Sequence, residues 1–302
     1  MNVLDVCAGV GSFSLAAESA GMDTVCQIEI DPYRQSVLRK HFPNAQKLTD
    51  IYQVDADDID KPIDLLCGGT PCQDLSIAGN GAGLDGTKSS LWYEFLRLAQ
   101  ELKPRWLVWE NVSNALSSNG GRDFAAILRG LDECGYHVAW RVLDAQYFGV
   151  PQRRRRIFLV GHLGDGRAAK VLFESASLPG NSNTRPTARE KTTRLAGTLP
   201  KSASEPVAIN WQAGSSADYM TRKGGIAGTL GVTRVEGVHY DKVVRRLTPT
   251  EYARLQGFPD DYLDGLNLSD SKKYEMWGDT IALPCSMWIL RRIADLEMQE
   301  VA

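Results

Sequence analysis

Short apolar runs alternate with amphipathic runs along the first 163 residues of the chain, and this alternation restricts the fold more than any other feature. Runs such as NVLDVCAG, DTVCQIE, IDLLCGG and RWLVWENV have the length and composition of buried strands. Runs such as DPYRQSVLRKHF, SSLWYEFLRLAQELK and RDFAAILRGLDECG place apolar residues at helical spacing. Strands that alternate with helices predict an α/β fold, a doubly wound parallel sheet with helices on both faces.

The composition changes after about residue 164. Residues 165–243 are rich in Gly, Ser, Thr, Ala and Arg, and residues 185–246 contain eleven Lys or Arg against five Asp or Glu. Helical periodicity returns in TPTEYARLQGF, which begins with a Thr-Pro helix start, and a final helix is predicted near 281–298. The chain therefore divides into three segments, which are 1–164, 165–243 and 244–302.

Composition argues against two classes of protein. A net charge of -3 over 302 residues disfavours a general polyanion binder, so a nucleic-acid surface must come from a local cluster such as the basic middle segment. No apolar run approaches the roughly 18 residues that a membrane helix needs, and no basic leader precedes the first strand, so we expect no membrane association. The six cysteines lack metal-type spacing, which predicts reduced thiols in the cytoplasm and no metal site.

A glycine turn follows the first predicted strand. The stretch DVCAGVGSFS contains Gly9 and Gly11, and Glu29 ends the next strand. Glycines let a backbone approach a ligand closely, and a carboxylate at the second strand tip can bind a ribose diol. Ser14 occupies the third position of the dinucleotide fingerprint, which disfavours a pyrophosphate and suits S-adenosylmethionine at least as well. A tight turn without a ligand is also compatible with these residues alone.

Two cysteines lie near the end of the apolar run IDLLCGG. Cys67 is within the run, and Cys72 follows Pro71 just beyond it. A reactive cysteine needs exposure and help in losing its proton, whereas a buried cysteine is a small packing residue. We expect Cys67 to pack in the core, and Cys72 by itself fits either role.

Polar residues end the strand WLVWENV, and arginines precede the strand RIFLVGHL. Because the carboxyl ends of parallel strands meet at one edge, Glu110 and Asn111 should share the edge that carries the glycine turn. A carboxylate after WLVW is poorly solvated, which raises its pKa and suits proton donation, although a structural acid is an alternative. Strand alternation sends Arg154 and Arg156 to one side, where they can meet phosphates or a base, and four consecutive arginines can also form a solvated face.

Six motifs, in this order, resemble the DNA cytosine-5 methyltransferases: DVCAGVGSF, GGTPCQDLSIAG, WENV, PQRRRRIF, RRLTPTEYARLQGFPDDY and GDTIALP. The resemblance covers nearly the whole chain outside 165–243. It implies a Rossmann-like S-adenosylmethionine-dependent methyltransferase domain with a small inserted target-recognition domain. Residues 1–164 would form the first part of the catalytic and cofactor-binding domain, 165–243 the target-recognition domain, and 244–302 a segment that returns to the catalytic domain and completes the cofactor pocket.

By the same resemblance, the chain transfers a methyl group from S-adenosylmethionine to carbon 5 of a flipped-out cytosine, within a specific short sequence of double-stranded DNA. Cys72 would attack carbon 6 of the cytosine and form a covalent intermediate. Glu110 would hydrogen-bond ring nitrogen 3 and the exocyclic amine. The glycine-rich loop after Cys72 is expected to move as it closes over the opened duplex.

The resemblance assigns a role to each matched residue. The implied catalytic residues are Cys72, Glu110, Arg154 and Arg156, and the implied substrate-binding residues are Gln73, Ser76 and Asn111. The implied cofactor-binding residues are Gly9, Gly11, Glu29, Asp50, Ile51, Leu91 and Asp279. Three positions depart from the family pattern: Cys7 stands in place of Phe, Ile30 in place of Trp and Asp279 in place of Asn. The first two remove aromatic contact with adenine, which predicts modest cofactor affinity.

The partners that the resemblance implies are double-stranded DNA and, functionally, a cognate restriction endonuclease, for a monomeric enzyme in the cytoplasm of a bacterial or phage-infected cell. Three alternatives remain open at this point. A transfer-RNA cytosine methyltransferase is disfavoured by the long basic middle segment, which suits a duplex reader. A nicotinamide-dependent oxidoreductase would leave Cys72, Glu110 and the arginines unexplained. A DNA-binding protein without the chemistry is disfavoured because Cys72 and Glu110 are both present.

Overall fold

The computed structural model describes residues 1–70, 90–173, 207–210, 230, 236–240 and 243–301. The chain forms two compact units. The first unit comprises Met1–Leu143, Arg156–Pro179 and Ser286–Ala302, and the second comprises Asp144–Arg155 and Gly180–Cys285. Residues 144–155 and 244–285 therefore group with the second unit by compactness, whereas the sequence assigns them to the catalytic domain. Compactness does not test what each segment does, so the functional division into domains stays a prediction.

The large sheet has seven strands: β1 (Asn2–Val6), β2 (Asp23–Ile28), β3 (Gln46–Leu48), β4 (Leu65–Gly69), β5 (Trp106–Val112), β6 (Tyr136–Asp144) and β7 (Arg155–Leu163). Their order is β3-β2-β1-β4-β5-β7-β6. Strands β1 to β5 are all parallel to one another, which confirms the predicted parallel α/β sheet for these five, although the short β3 was not predicted. Almost every residue of β4 and β5 is buried, as continuous apolar runs in a parallel sheet require.

Strand β7 departs from the prediction of an entirely parallel sheet. It pairs antiparallel with β5, with Trp106 opposite His162 and Val112 opposite Arg156, so the prediction was wrong for this strand. A parallel strand needs a crossover connection, usually a helix, after the strand that precedes it. Between β6 and β7 the chain forms only the 3₁₀ turn Ala145–Tyr147, and without a crossover helix it enters β7 antiparallel to β5.

Helices flank this sheet: α1 (Ser12–Ser19), α2 (Pro32–His41), α3 (Ser90–Leu102), α4 (Arg122–Glu133) and the short α5 (Ala168–Leu172). The first four confirm the helices predicted from apolar spacing. Helix α2 begins at Pro32, and the Asp31 side chain accepts two backbone N–H bonds from its first turn. Helix α3 packs Trp92 edge-on against Trp109 of β5, with ring centroids 5.2 Å apart. This aromatic contact fixes α3 over the carboxyl half of β5.

The second unit contains a three-stranded antiparallel sheet and capped helices. Strands β8 (Val207–Asn210), β9 (Glu236–Tyr240) and β10 (Val243–Arg246) lie in the order β10-β9-β8. Helix α6 (Pro249–Gln256) begins as predicted, because Thr248 and Glu251 form a capping box and Pro249 is the first helical residue. Helix α7 (Asp270–Asp279) was not predicted. The final helix α8 (Leu283–Val301), most of which belongs to the first unit, confirms the one predicted near the end of the chain.

Candidate active site

The strand order of the large sheet reverses beside β1. From β1 the chain adds β2 and β3 on one side, and it then crosses to β4 and β5 on the other side. In doubly wound sheets, ligands bind at the carboxyl ends of the strands at such a switch point. The register pairs Gly69, the last residue of β4, with Glu110, so Glu110 lies level with the end of β4. Gly9, Gly11, Glu29 and Asp50 lie in the loops that leave β1, β2 and β3 at this edge, and Glu110 and Asn111 lie near the end of β5.

The turn after β1 has positive φ angles at three alternate residues, Cys7 (53°), Gly9 (59°) and Gly11 (87°). A Cβ atom on Gly11 would lie 2.6 Å from the ring of Phe42, so this close approach to the end of α2 needs glycine. A Cβ atom on Gly9 would meet no atom of the described residues within 4 Å. As far as the described part of the chain is concerned, the space beside Gly9 is open to a ligand.

Glu29 follows β2 and is tied to this turn. Its Oε2 accepts a hydrogen bond from Gly9 N at 2.8 Å, and its Oε1 accepts one from Asp31 N at 2.9 Å. Burial raises the pKa of the carboxyl group, and these backbone N–H bonds oppose the rise. Each carboxylate oxygen can accept a further hydrogen bond, so the group can hold the turn and bind a diol at once. Beside it, the Ile30 side chain is 67% exposed.

Sequence reasoning missed a polar network beneath the turn. Asp5 of β1 is 1% exposed, and its Oδ2 accepts hydrogen bonds from Ser14 N at 3.1 Å and Ser14 Oγ at 2.6 Å. The Ser14 hydroxyl also accepts from Gln27 Nε2 of β2 at 2.7 Å. Burial raises the pKa of the Asp5 carboxyl to about 7. The signal available in the sequence was Asp5 itself, an acid within an apolar strand just before the glycine turn.

Asp50 lies just beyond β3 and caps the 3₁₀ turn Ile51–Gln53, because its side chain accepts a hydrogen bond from Tyr52 N at 3.1 Å. Ile51 is buried, and Leu91 at the start of α3 is partly buried against the same core. These three predicted cofactor residues therefore lie in the first unit, on the β3 side of the sheet and on α3.

Thr70 follows β4 and is held from β5 by two side chains. Trp109 Nε1 donates to Thr70 Oγ1 at 2.9 Å, and Asn111 Nδ2 donates to the Thr70 carbonyl at 3.3 Å. These two residues flank Glu110 in the sequence, and Pro71 and Cys72 follow Thr70. Neither hydrogen bond was predicted. Cys72, Gln73 and Ser76 lie outside the described residues, so their roles stay predictions. Cys67 is fully buried in β4, as expected for a packing residue.

Glu110 and Arg156 form an ion pair at the end of β5. Arg156 Nε lies 3.2 Å from Glu110 Oε1, and the two side chains are 17% and 9% exposed. The antiparallel pairing of β7 with β5 brings them together, because Arg156 is opposite Val112, two residues from Glu110. A carboxylate and a guanidinium so shielded from water can present hydrogen-bonding groups of fixed orientation to a polar ring.

Arg154 and Asp279 belong to the second unit. Arg154 is 3% exposed, and its Nη1 donates to the Gly278 carbonyl at 3.1 Å. Arg153 and Arg155 are exposed, Arg154 is buried and Arg156 is half-buried. That Arg154 and Arg156 share one side stays a prediction. Asp279 is the last residue of α7. The catalytic role of Arg154 and the cofactor role of Asp279 stay predictions.

Comparison with known proteins decides the family. The profile described as C-5 cytosine-specific DNA methylase matches residues 1–212 and 178–295. The chain belongs to the C-5 cytosine-specific DNA methylase family. Two curated relatives of this methylase are the Type II methyltransferases M.NlaX of Neisseria lactamica, 30% identical over 97% of this chain and 95% of the relative, and M.HhaI of Haemophilus parahaemolyticus, 28% identical over 97% and 94%.

A solved structure supports the fold of this methylase. The crystal structure of a prophage-encoded E. coli protein described as a DNA modification methyltransferase aligns with a TM-score of 0.72 and 21% identity, over 99% of each chain. This confirms the predicted Rossmann-like α/β fold. Family membership confirms that the chain is a DNA cytosine-5-methyltransferase, and the curated relatives are named as Type II methyltransferases, which disfavours the oxidoreductase alternative.

Two observations concern the described part of this methylase alone. Within residues 1–70, 90–173 and the described parts of the second unit, no group of three or more His, Cys, Asp or Glu side chains is arranged to hold a metal ion. Within the same ranges, no helix has both the length and the apolar character that crossing a bilayer requires.

Proposed function

We propose that this methylase transfers a methyl group from S-adenosylmethionine to carbon 5 of a cytosine in double-stranded DNA, through a covalent bond between Cys72 and carbon 6. The observation that carries the proposal is the shielded Glu110–Arg156 ion pair at the end of β5. It lies level with the end of β4, from which the chain continues through Thr70 and Pro71 to Cys72. A nucleophile and a group that binds the ring nitrogen must act on the same base, and the position of Glu110 level with the end of β4 supports both roles.

The residues around the glycine turn fit S-adenosylmethionine. Glu29 keeps acceptor capacity for a ribose diol, and the space beside Gly9 is open. Exposed Ile30 offers an apolar surface next to Glu29. Each oxygen of the Asp50 carboxylate already accepts one hydrogen bond, from Tyr52 N and from Gln53 Nε2, and each can accept a further one from an exocyclic amine. When bound, S-adenosylmethionine supplies a methyl carbon activated by the adjacent sulfonium.

The chain's own groups carry the steps on the base. Glu110 in its protonated form donates a hydrogen bond to nitrogen 3 and accepts one from the exocyclic amine, and Arg156 holds its carboxyl group in place. The Cys72 thiolate then donates an electron pair to carbon 6, the Glu110 proton stabilises the electrons displaced towards nitrogen 3, and carbon 5 becomes nucleophilic. Carbon 5 would take the methyl carbon, with S-adenosylhomocysteine as the leaving group, and its own proton then passes to a water molecule. The bond between carbon 6 and sulfur breaks, which restores the aromatic ring and returns the thiolate.

DNA must deform before this chemistry can occur. A stacked cytosine is inaccessible to a side chain, so the enzyme flips it out of the duplex at a cost of a few kcal/mol. The excess of positive charge in residues 185–246 supports contact with phosphates, and we assign recognition of a specific short sequence to segment 165–243. Because the relatives are named as Type II methyltransferases, we also propose that the enzyme works as a monomer in the cytoplasm, alongside a cognate endonuclease.

A trapping experiment tests the covalent step. Duplex oligonucleotides with 5-fluorocytosine at methylated positions are incubated with protein and S-adenosylmethionine and separated on a denaturing gel. Because fluorine cannot leave as a proton does, the wild-type protein should remain joined to the DNA. Cys72→Ser should give no adduct, and the control Cys134→Ser, at a partly exposed cysteine after α4, should give the wild-type amount. Active protein without an adduct would contradict the covalent mechanism.

A transfer assay tests the substrate. Tritiated S-adenosylmethionine is supplied with double-stranded DNA or with transfer RNA, and bisulfite sequencing then locates the methylated cytosines. We expect label on DNA at one short sequence. Label on transfer RNA alone, or label spread over unrelated sequences, would contradict the proposed substrate.

A further inference from the structure

The 3₁₀ turn Ile51–Gln53 is a short element with little stability of its own. Its closing hydrogen bond, from Val54 N to the Ile51 carbonyl, is long at 3.4 Å. Single 3₁₀ turns have poor hydrogen-bond geometry and depend on their surroundings. At the start of the turn Asp50 supplies a cap, but the carbonyls at its end need donors from outside it.

Arg97 of α3 donates to two carbonyls of this segment, that of the first residue of the turn and that of Val54, which follows the turn. Its Nη2 donates to the Val54 carbonyl at 2.7 Å and to the Ile51 carbonyl at 3.2 Å. Its Nε donates to Glu94 at 2.7 Å, and its Nη1 donates to both carboxylate oxygens of Glu101, at 3.0 and 3.1 Å. All five N–H groups of the guanidinium are engaged, and Glu94 and Glu101 fix its plane.

The two acidic partners lie on the same helix as Arg97, one turn before and one turn after it. The guanidinium therefore keeps its orientation through α3 itself, and α3 is anchored to β5 by the contact between Trp92 and Trp109. Arg97 thus ties the 3₁₀ turn to α3, in addition to the burial of Ile51 and Val54 in the core. A lysine at position 97 could not reproduce this arrangement, because an ammonium group lacks the planar fork.

We propose that Arg97 is a positioning residue for cofactor binding, which holds Ile51 and Asp50 in the orientation that binds the adenine group. This inference rests on the proposed function, because it takes S-adenosylmethionine as the ligand of the turn. Arg97 acts through the backbone of the turn and leaves the transfer step untouched. Its loss should weaken cofactor binding and leave kcat at saturating cofactor close to the wild-type value.

The test is the Kd for S-adenosylmethionine and for S-adenosylhomocysteine, measured by isothermal titration calorimetry on the full chain. We expect Arg97→Met to raise both Kd values about tenfold, within the range of effects seen when one member of a hydrogen-bond network is removed. Arg97→Lys should raise them by less, because one carbonyl contact can survive. The KM for DNA should not change.

Arg292→Met is the matched control. Arg292 of α8 also donates to two backbone carbonyls, those of Val171 at 2.5 Å and Lys170 at 2.7 Å, at a helix remote in sequence from the turn. Its loss should lower the melting temperature while leaving both Kd values unchanged. If Arg97→Met and Arg97→Lys bind both ligands as wild type does, the inference is overturned. If the wild-type protein binds neither S-adenosylmethionine nor S-adenosylhomocysteine, the proposed function fails, and the inference about Arg97 fails with it.

A double-mutant cycle separates positioning from general destabilisation. If Arg97 acts through the turn, Arg97→Met and Asp50→Asn should be coupled, so that the double variant binds more tightly than the product of the two single effects predicts. The effects of Arg97→Met and Glu29→Gln on the Kd should multiply, because Glu29 is proposed to bind a different part of the cofactor. Multiplicative effects in both cycles would show a purely structural role and would overturn the inference.

Discussion

At the scale of single residues, the buried carboxyl group of Asp5, beneath the glycine turn, should make the stability of the protein depend on pH. It is 1% exposed and is hydrogen-bonded to the backbone and side chain of Ser14 at the start of α1. Burial raises its pKa to about 7, from an ordinary value of 3.8. The folded state therefore binds a proton more tightly than the unfolded state does. The stability contributed by the neutral carboxyl is complete at low pH and is lost as the pH rises towards 7.

Asp5→Asn should remove this dependence, because the amide oxygen can still accept from Ser14 and carries no charge. Relative to wild type, the variant should gain on the order of 2 kcal/mol in free energy of unfolding between pH 5 and pH 8. Urea unfolding at the two pH values measures the difference. The control Ser14→Ala should be less stable and should keep the pH dependence. If the free energies of unfolding of Asp5→Asn and wild type differ by the same amount at pH 5 and at pH 8, Asp5 is not the source of the pH dependence.

At the scale of elements, hydrogen bonds between the end of β4 and β5 fix the point from which the chain runs towards Cys72, the proposed nucleophile, relative to Glu110. Trp109 and Asn111 alternate with Glu110 along β5, and both donate to Thr70 at the end of β4. Backbone pairing alone aligns Gly69 with Glu110, and the two side-chain bonds extend this alignment one residue beyond the strand. The chain then enters Pro71 and Cys72 from a fixed position.

Thr70→Val tests this tie, because valine keeps the shape of threonine and removes the hydroxyl acceptor. The buried Trp109 N–H would lose its partner, which should cost about 1–3 kcal/mol in free energy of unfolding and lower kcat. Trp109→Phe should also destabilise the protein. The double variant should be less destabilised than the sum by about 1 kcal/mol, because it leaves no unpaired group. Additive losses in urea unfolding would show that the hydrogen bond contributes little.

At the scale of the whole molecule, charge is distributed unevenly along the chain. The net charge is -3, yet residues 185–246 carry eleven basic and five acidic residues. The net charge of the whole chain therefore does not attract DNA, and we expect the phosphate contacts to come from this basic segment. Contacts of that kind release counterions, so the affinity for DNA should fall as salt rises.

The salt dependence of DNA affinity measures these contacts. In a plot of log K against log salt concentration, each phosphate contact contributes a slope of about -0.9. Replacing both Arg222 and Lys223 with Gln should make the slope less negative by as much as about 2. The same change at Lys40 and Lys61, which are exposed in the first unit, should leave it unaltered. Equal slopes for wild type and the Arg222/Lys223 variant would remove this pair from the DNA surface.

Sequence periodicity was sufficient for helices α1 to α4 and for the parallel strands β1, β2, β4 and β5, because both are set by local spacing and by burial of continuous apolar runs. It failed at β7, where direction depends on the length and content of the connection from β6. It also failed at β3, which has only three residues, and at α7, whose sequence is largely polar. Weak local patterns of this kind acquire structure only from their neighbours.

For the site, the sequence by itself determined which chemical groups are present and which strand ends carry them, since Glu29 and Glu110 follow recognisable strands. Only the tertiary structure decided which groups touch. The Glu110–Arg156 pair needs an antiparallel β7. The network of Asp5, Ser14 and Gln27 needs β1 and β2 side by side. Arg97 donates a hydrogen bond to Val54, which lies 43 residues before it in the sequence. Such contacts join residues far apart in sequence, and a hydrogen bond depends on distance and angle in space, which no local spacing records.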